Sequence, residues 1–268
     1  MQSRFVFLFS IVLFLAACKG RFYRAGSNSM DGTIPAGSKF FVTPTSSFNR
    51  NDVVVFKHWG NDYSSPIPGE LEKFNKHWEK RVYRLIAFSG DSVQLIDADV
   101  LVNGKMQKWP DLAIMDYEVC AKGITEEFTE SESDPYTFTA ERKGDTFIYN
   151  VHLMYQRAKD FEKRKPFFIS VKRKITEPSI RDTMLARPFY SAAWTVDNYG
   201  PLMIPAVGDT IEVNNENYKL FQNIPDIQMG KMILKEKLYF VMGDNRHGSE
   251  DSRYIGFIPH SKMIGIVK

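Results

Sequence analysis

Gly243-Asp244-Asn245-Arg246-His247-Gly248-Ser249-Glu250-Asp251-Ser252-Arg253 is the stretch on which the reading of this chain turns. It places two Asp, two Arg, two Ser and an Asn between two apolar runs. Leu238-Tyr239-Phe240-Val241-Met242 precedes it and Tyr254-Ile255-Gly256-Phe257-Ile258 follows. The preceding run reads as a strand. Charges of both signs inside such brackets suggest groups that satisfy one another at the edge of a core. Taken alone, the run is also compatible with a polar β-turn.

The pattern around it is β. Lys39-Phe40-Phe41-Val42 and the β-branched Asp52-Val53-Val54-Val55-Phe56 read as strands flanked by turn residues. Arg81 to Phe88 forms another, Gly90-Asp91 turns the chain, and Ser92 to Ile96 continues. Val100-Leu101-Val102 followed by Asn103-Gly104-Lys105 predicts a strand and a hairpin turn. Residues 59–70 read as a loop, and Leu71 to Trp78 as one or two helical turns. Between 106 and 205 the character changes: acidic turns from Thr125 to Asp134, a helix over His152 to Lys163 and a strand at Phe167 to Val171. This reads as an inserted α+β subdomain. Gly208 to Val213 resumes the strand pattern and leads into the Gly243 run.

The N-terminus predicts export. Arg4 is followed by an apolar stretch from Phe5 to Cys18, then Lys19, Gly20 and Arg21. As a helix, Phe5 to Cys18 would span about 21 Å, short of a hydrocarbon core of about 30 Å. A secretory signal fits better. Its end, Leu15-Ala16-Ala17-Cys18, is similar to a bacterial lipobox, in which the Cys is lipidated and becomes the new N-terminus. A short uncleaved membrane anchor and plain secretion are the other readings, and all three export the chain. If Cys18 carries lipid, Cys120 alone remains and no internal disulfide can form.

Composition excludes some function classes. With 43% hydrophobic and 25% charged residues and a net charge of +3, the chain suits a folded core and not a nucleic-acid-coating or disordered protein. No Cys-x-x-Cys pair and no His-Glu-x-x-His motif occurs, and the five histidines are scattered. Neither a metal site nor a cofactor is expected.

A second segment gives the Gly243 run its meaning. Ser27-Asn28-Ser29-Met30-Asp31-Gly32-Thr33-Ile34-Pro35-Ala36-Gly37 is a Ser-x-Ser-Met turn feeding a strand. It joins Asn51 to Phe56, Arg84-Leu85-Ile86-Ala87-Phe88-Ser89-Gly90-Asp91 with Asn103-Gly104-Lys105, and the Gly243 run through Gly265. Together, in this order, they resemble bacterial signal peptidase I, a membrane-bound serine protease that removes export signals. Trp194-Thr195-Val196-Asp197-Asn198-Tyr199-Gly200-Pro201 with Ile204-Pro205 resembles the insertion of the Bacteroidota branch of that family.

The resemblance implies a fold and a set of roles. The fold expected is a signal-peptidase-type antiparallel β fold with a catalytic core over 19–105 and 206–268. A signal or anchor over 1–18 and an inserted subdomain over 106–205 complete the division. Ser29 matches the nucleophile, and Ser27 the hydroxyl that helps bind the oxyanion beside the Ser29 N–H. Two donors that close can face one carbonyl. Ser249 matches the hydroxyl that orients the general base. Asp244, Arg246, Asp251 and Arg253 match a supporting ion-pair network, with Arg84 paired to Asp244. The partners implied are preprotein signal peptides and the membrane, with the site facing the periplasm. Small residues are preferred before the cut in this family, so shallow apolar pockets lined by Val53 to Phe56 are expected beside the Ser29 turn.

The chain departs from the family at the general base. The family places a Lys directly before the Arg of its Lys-Arg-x-x-Gly-x-Pro-Gly-Asp stretch. Anchoring on Gly90-Asp91 puts Arg84 on that Arg and Tyr83 on the Lys; Gly32 likewise replaces a Pro. The pair Lys80-Arg81 imitates the motif three residues earlier. Strand side chains alternate faces, so a shift of three sends Lys80 to the side opposite Tyr83 unless a bulge intervenes. Tyr is a poor substitute. Burial lowers a Lys pKa toward a usable neutral amine but raises that of Tyr, and even an unperturbed phenol costs about 4 kcal/mol to ionise at neutral pH. Three readings follow: an active endopeptidase using Lys80 through a bulge or a base from elsewhere, a weak or inactive homologue that binds export signals or assists a paired active peptidase, and a lipoprotein with a private substrate.

Overall fold

The computed structural model describes residues 20–59, 78–123, 139–179, 184–188 and 193–268. The apolar N-terminal stretch with Cys18, most of the 59–70 loop, the helical turns before Trp78 and the acidic turns at 125–134 lie outside the described residues. No helix among the described residues is long and apolar enough to cross a membrane.

The chain begins with β1 (Arg21–Arg24), β2 (Lys39–Pro44), β3 (Val53–Trp59) and β4 (Trp78–Phe88). Then come β5 (Ser92–Ile96), β6 (Asp99–Val102) and β7 (Lys105–Met106). The middle holds β8 (Ile114–Lys122), β9 (Thr139–Lys143), β10 (Thr146–Met154), α1 (Tyr155–Lys163) and β11 (Phe168–Arg173). The last part contains β12 (Tyr199–Met203), β13 (Thr210–Val213), α2 (Tyr218–Phe221), β14 (Gly230–Ile233) and β15 (Leu238–Met242). It ends with α3 (Ser252–Ile255), β16 (Ile258–Pro259) and β17 (Met263–Val267).

The architecture is mostly antiparallel β, as the strand pattern and the resemblance led us to expect. A seven-stranded sheet runs β1-β2-β17-β3-β4-β15-β16. A second sheet, β12-β5-β6-β7, joins residues distant in sequence, and β11-β8-β10-β9 forms a third from residues 114–173. The first two are linked at the turn after β4, where Gly90 N–H donates to the Ile204 carbonyl.

Local chemistry explains these elements. All five residues of β15 are buried, so it is a continuous apolar run with cover on both faces and not an alternating strand. Each such side chain contributes roughly 1.5–3 kcal/mol by leaving water. In β8 the alternation is clear from Met115 onward, with Tyr117, Val119 and Ala121 buried and Glu118 and Lys122 exposed. Those inward residues meet Tyr149, Val151 and Leu153 of β10 and the stacked pair Phe161–Phe168 in a core of their own.

One element differs from expectation. The helix begins at Tyr155, and His152 belongs to the end of β10, opposite Asp116 of β8. Nine consecutive pairings with β8 and alternating burial at Tyr149, Val151 and Leu153 outweigh the local helical pattern.

The 114–173 sheet touches the main sheet through the Gly243 run. Ile114 forms a parallel bridge with Asn245: Ile114 N–H donates to the Asp244 carbonyl at 2.7 Å and Arg246 N–H to the Ile114 carbonyl at 2.9 Å.

Candidate active site

Ser29 sits in a tight turn between β1 and β2. Asp31 N–H donates to the Asn28 carbonyl and Ile34 N–H to that of Met30, which winds the segment into a compact unit. Met30 is buried against Val54, Phe56 and Tyr83, and its sulfur accepts the Asp244 N–H at 3.3 Å. The apolar side chain thus pins the polar turn to the Gly243 run. Gly32 has φ +89, and a Cβ there would stand 2.1 Å from the Leu112 carbonyl oxygen. A Pro, held near φ −65°, is excluded by this backbone.

Two contacts hold the Ser29 carbonyl. Asn245 N–H donates to it at 3.0 Å and the Ser249 hydroxyl at 2.8 Å, with the Asn245 carbonyl 2.6 Å from the same hydroxyl. Gly243 is required for this packing: an added Cβ would fall 1.8 Å from the Ser249 oxygen and 2.7 Å from the Ser29 carbonyl. Ser249 therefore fastens the backbone of Ser29. It was expected to orient the side chain at position 83, and that contact is not among its hydrogen bonds.

The Ser29 hydroxyl lies 3.0 Å from that of Ser27 and is near enough to the Tyr83 phenol to influence its ionisation. Tyr83 is 3% exposed, packs on Phe56 and donates to the Glu250 carbonyl at 3.0 Å. Burial, only partly offset by the neighbouring Arg81 cation, raises its pKa to about 12. At neutral pH it is a hydrogen-bond donor and does not accept a proton.

Lys80 does not approach Ser29. The β3–β4 ladder runs from Val53–Arg84 to Trp59–Trp78 without a register shift, so no bulge turns Lys80 back. Its exposed ammonium rests 5.0 Å from the centre of the Tyr23 ring. The expectation of Lys80 as a fallback base is corrected accordingly, by the alternation of strand faces.

Behind the turn lies a charged frame. Arg84 grips Asp244 with two hydrogen bonds of 2.8 and 2.6 Å, and Thr33 donates to the same carboxylate at 2.5 Å. Arg253 grips Asp251 at 2.8 and 2.7 Å, both residues being almost fully buried. Asp251 also caps α3 and accepts the Gly243 N–H at 3.0 Å. Arg246, expected in the same network, pairs with no carboxylate among the described residues, where Asp244 is held by Arg84 and Asp251 by Arg253. Its guanidinium lies over the Trp109 ring at 4.6 Å, and burial lowers its pKa to about 10. Val54, Val55 and Phe56, expected to line open pockets, are fully buried.

Several residues of the site carried no recognisable signal in the sequence. Trp109, Asp116 and His152 are brought to it only by the fold. Asn245 and His247 stood inside the Gly243 run without an expected role. The Asn245 amide donates to the Asn28 carbonyl at 3.1 Å, which makes it a second tie to the Ser29 turn.

Comparison with known proteins identifies the family. The chain is 40% identical over 57 residues to a protein named Signal peptidase I from Buchnera aphidicola subsp. Acyrthosiphon pisum, covering 21% of this chain and 17% of that protein. It is 51% identical over 35 residues to Signal peptidase I from Aquifex aeolicus, covering 13% of this chain and 14% of that protein. These stretches span less than a fifth of either relative. The family model for Signal peptidase, peptidase S26, by contrast matches residues 1–268, and the chain belongs to that family.

Proposed function

We propose that the protein is a signal-peptidase-type serine endopeptidase that binds the signal-peptide end of exported precursors at the Ser29 turn and turns them over slowly, because it lacks an amine base. Ser29 is the nucleophile and Ser27 the companion hydroxyl. Arg84, Asp244, Asp251 and Arg253 hold the shape of the site and transfer no proton. The observation that carries the reading is Tyr83, a buried phenol with pKa about 12 beside the Ser29 hydroxyl. Without a base such a site retains what oxyanion stabilisation and substrate binding supply. In this reading the chain faces the periplasm from a membrane, held by lipid on Cys18 or by a short apolar anchor. Lipid at Cys18 would leave at most about 40 Å of extended chain to Ser29, keeping the site near the membrane surface.

The test is binding and cleavage of a fluorescent precursor peptide by the wild-type chain and by Ser29→Ala. Expected are saturable binding by both and slow cleavage by the wild type alone. Cleavage that survives Ser29→Ala removes Ser29 from the mechanism, and absence of binding by the wild type removes the peptide from the reading.

A further inference from the structure

A chain of side chains outside the proposed chemistry leads from the 114–173 sheet to the Ser29 turn. Asp116 of β8 lies between two histidines: His152 Nδ1 at 2.6 Å from one oxygen and His247 Nδ1 at 3.0 Å from the other. His247 Nε2 stands 3.0 Å from both oxygens of Asp197, which also accepts the Thr176 N–H and hydroxyl at 2.8 Å. His152 Nε2 lies 3.0 Å from Asn245 Oδ1. The Asn245 amide cannot be turned over, because Gly248 N–H donates to Oδ1 and Nδ2 donates to the Asn28 carbonyl.

Each ring therefore faces acceptors through both nitrogens. A neutral imidazole has one N–H, and its other nitrogen would turn a lone pair toward an acceptor. A protonated His247 donates to both Asp116 and Asp197. The four groups form a line and do not converge, and no metal-holding cluster occurs among the described residues.

We propose that His152 and His247 are positioning residues of the Ser29 turn, holding Asn245 in place through the Asp116 carboxylate that they share. The 114–173 sheet thereby contributes to the site a part that the main sheet cannot supply. This inference rests on the reading of Ser29 as the working hydroxyl.

Groups facing the pair come from every neighbouring element. Asp116 is on β8, Asp197 lies before β12, Thr176 follows β11, and the Arg253 guanidinium of α3 acts on Asp197 from behind. Burial disfavours the charged form of His247, yet its hydrogen bonds to the two carboxylates more than offset this and raise its pKa to about 9. Loss of that proton sets a lone pair against a carboxylate, so the clamp loosens and peptide binding weakens on the alkaline side.

Nitrogen-15 NMR of the full chain with labelled histidine and asparagine tests this, with His260, bonded to Tyr239 at 2.8 Å, as the internal reference for an intact fold. At neutral pH the His247 ring is expected to show two protonated nitrogens. His152→Gln is expected to speed exchange of the Asn245 side-chain amide up to about ten-fold, the effect of losing one hydrogen bond. A neutral His247 ring in the wild type would overturn the proposal without any variant. So would an Asn245 amide indifferent to His152→Gln in a protein whose His260 signals are unmoved. A parallel peptide titration separates the two readings: failure of the wild type to bind sinks the Ser29 reading, while the ring signals still decide the clamp.

Discussion

Replacing Tyr83 by Lys should convert a slow site into a faster one. Ionising the Tyr83 phenol at neutral pH means moving about five units below its pKa of about 12, close to 7 kcal/mol or roughly five orders of magnitude in population. A Lys in the same buried position meets the same desolvation with the opposite result, since burial favours its neutral amine. The substitution removes the ring contact with Phe56, but the Glu250 carbonyl keeps the Arg81 guanidinium at 3.1 Å as a donor. A stability loss of about 1–3 kcal/mol is expected, and a folded variant. General-base catalysis contributes about 10²–10⁴-fold, so single-turnover cleavage of a precursor should accelerate by that factor, with thermal unfolding monitored alongside. The gain should vanish in Tyr83→Lys combined with Ser29→Ala. A folded Tyr83→Lys that cleaves no faster would refute the reasoning. So would a wild-type activity abolished by Tyr83→Phe, since that would make the phenol a working group.

Three further outcomes follow from the geometry. His247 has a folded-state pKa raised from 6.5 to about 9, so its contribution to stability is fully present below 6.5 and is lost as pH rises through 9; urea unfolding across that range should show a fall of up to about 3 kcal/mol that His247→Gln flattens. Arg84→Ala leaves the fully buried Asp244 carboxylate without its cation and should cost about 3–5 kcal/mol, read as a lower unfolding midpoint. Lys80→Ala should change stability by no more than about 0.5 kcal/mol and leave cleavage unchanged, because its ammonium lies on the face away from Ser29.

The strands of the main sheet were legible because their patterns are local. Val53 to Phe56 and Leu238 to Met242 announce themselves by β-branched or continuous apolar composition, and Asn103-Gly104 by the left-handed backbone it adopts, φ 52 and 72. The helix start was misread by three residues for a matching reason. Whether His152 belongs to a helix or a strand depends on β8, more than thirty residues earlier in the chain, and no local pattern contains that partner.

The resemblance carried by the Ser27 turn and the Gly243 run was enough to place the chain in its family and to single out Ser29 as a candidate, since those residues are contiguous and specific. Strand parity also indicated that Lys80 and Tyr83 point to opposite faces. Three things waited for the fold. The β3–β4 ladder had to be seen without a bulge before Lys80 could be set aside. Arg246 had to be seen over Trp109 and not on a carboxylate. The line from Asp197 through His247, Asp116 and His152 to Asn245 had to be assembled from four separate segments. Backbone alternation and turn chemistry act over a few residues and are written in order along the chain. Ion pairs, burial and ring protonation depend on which distant side chains share a few ångströms of space, and only packing sets that.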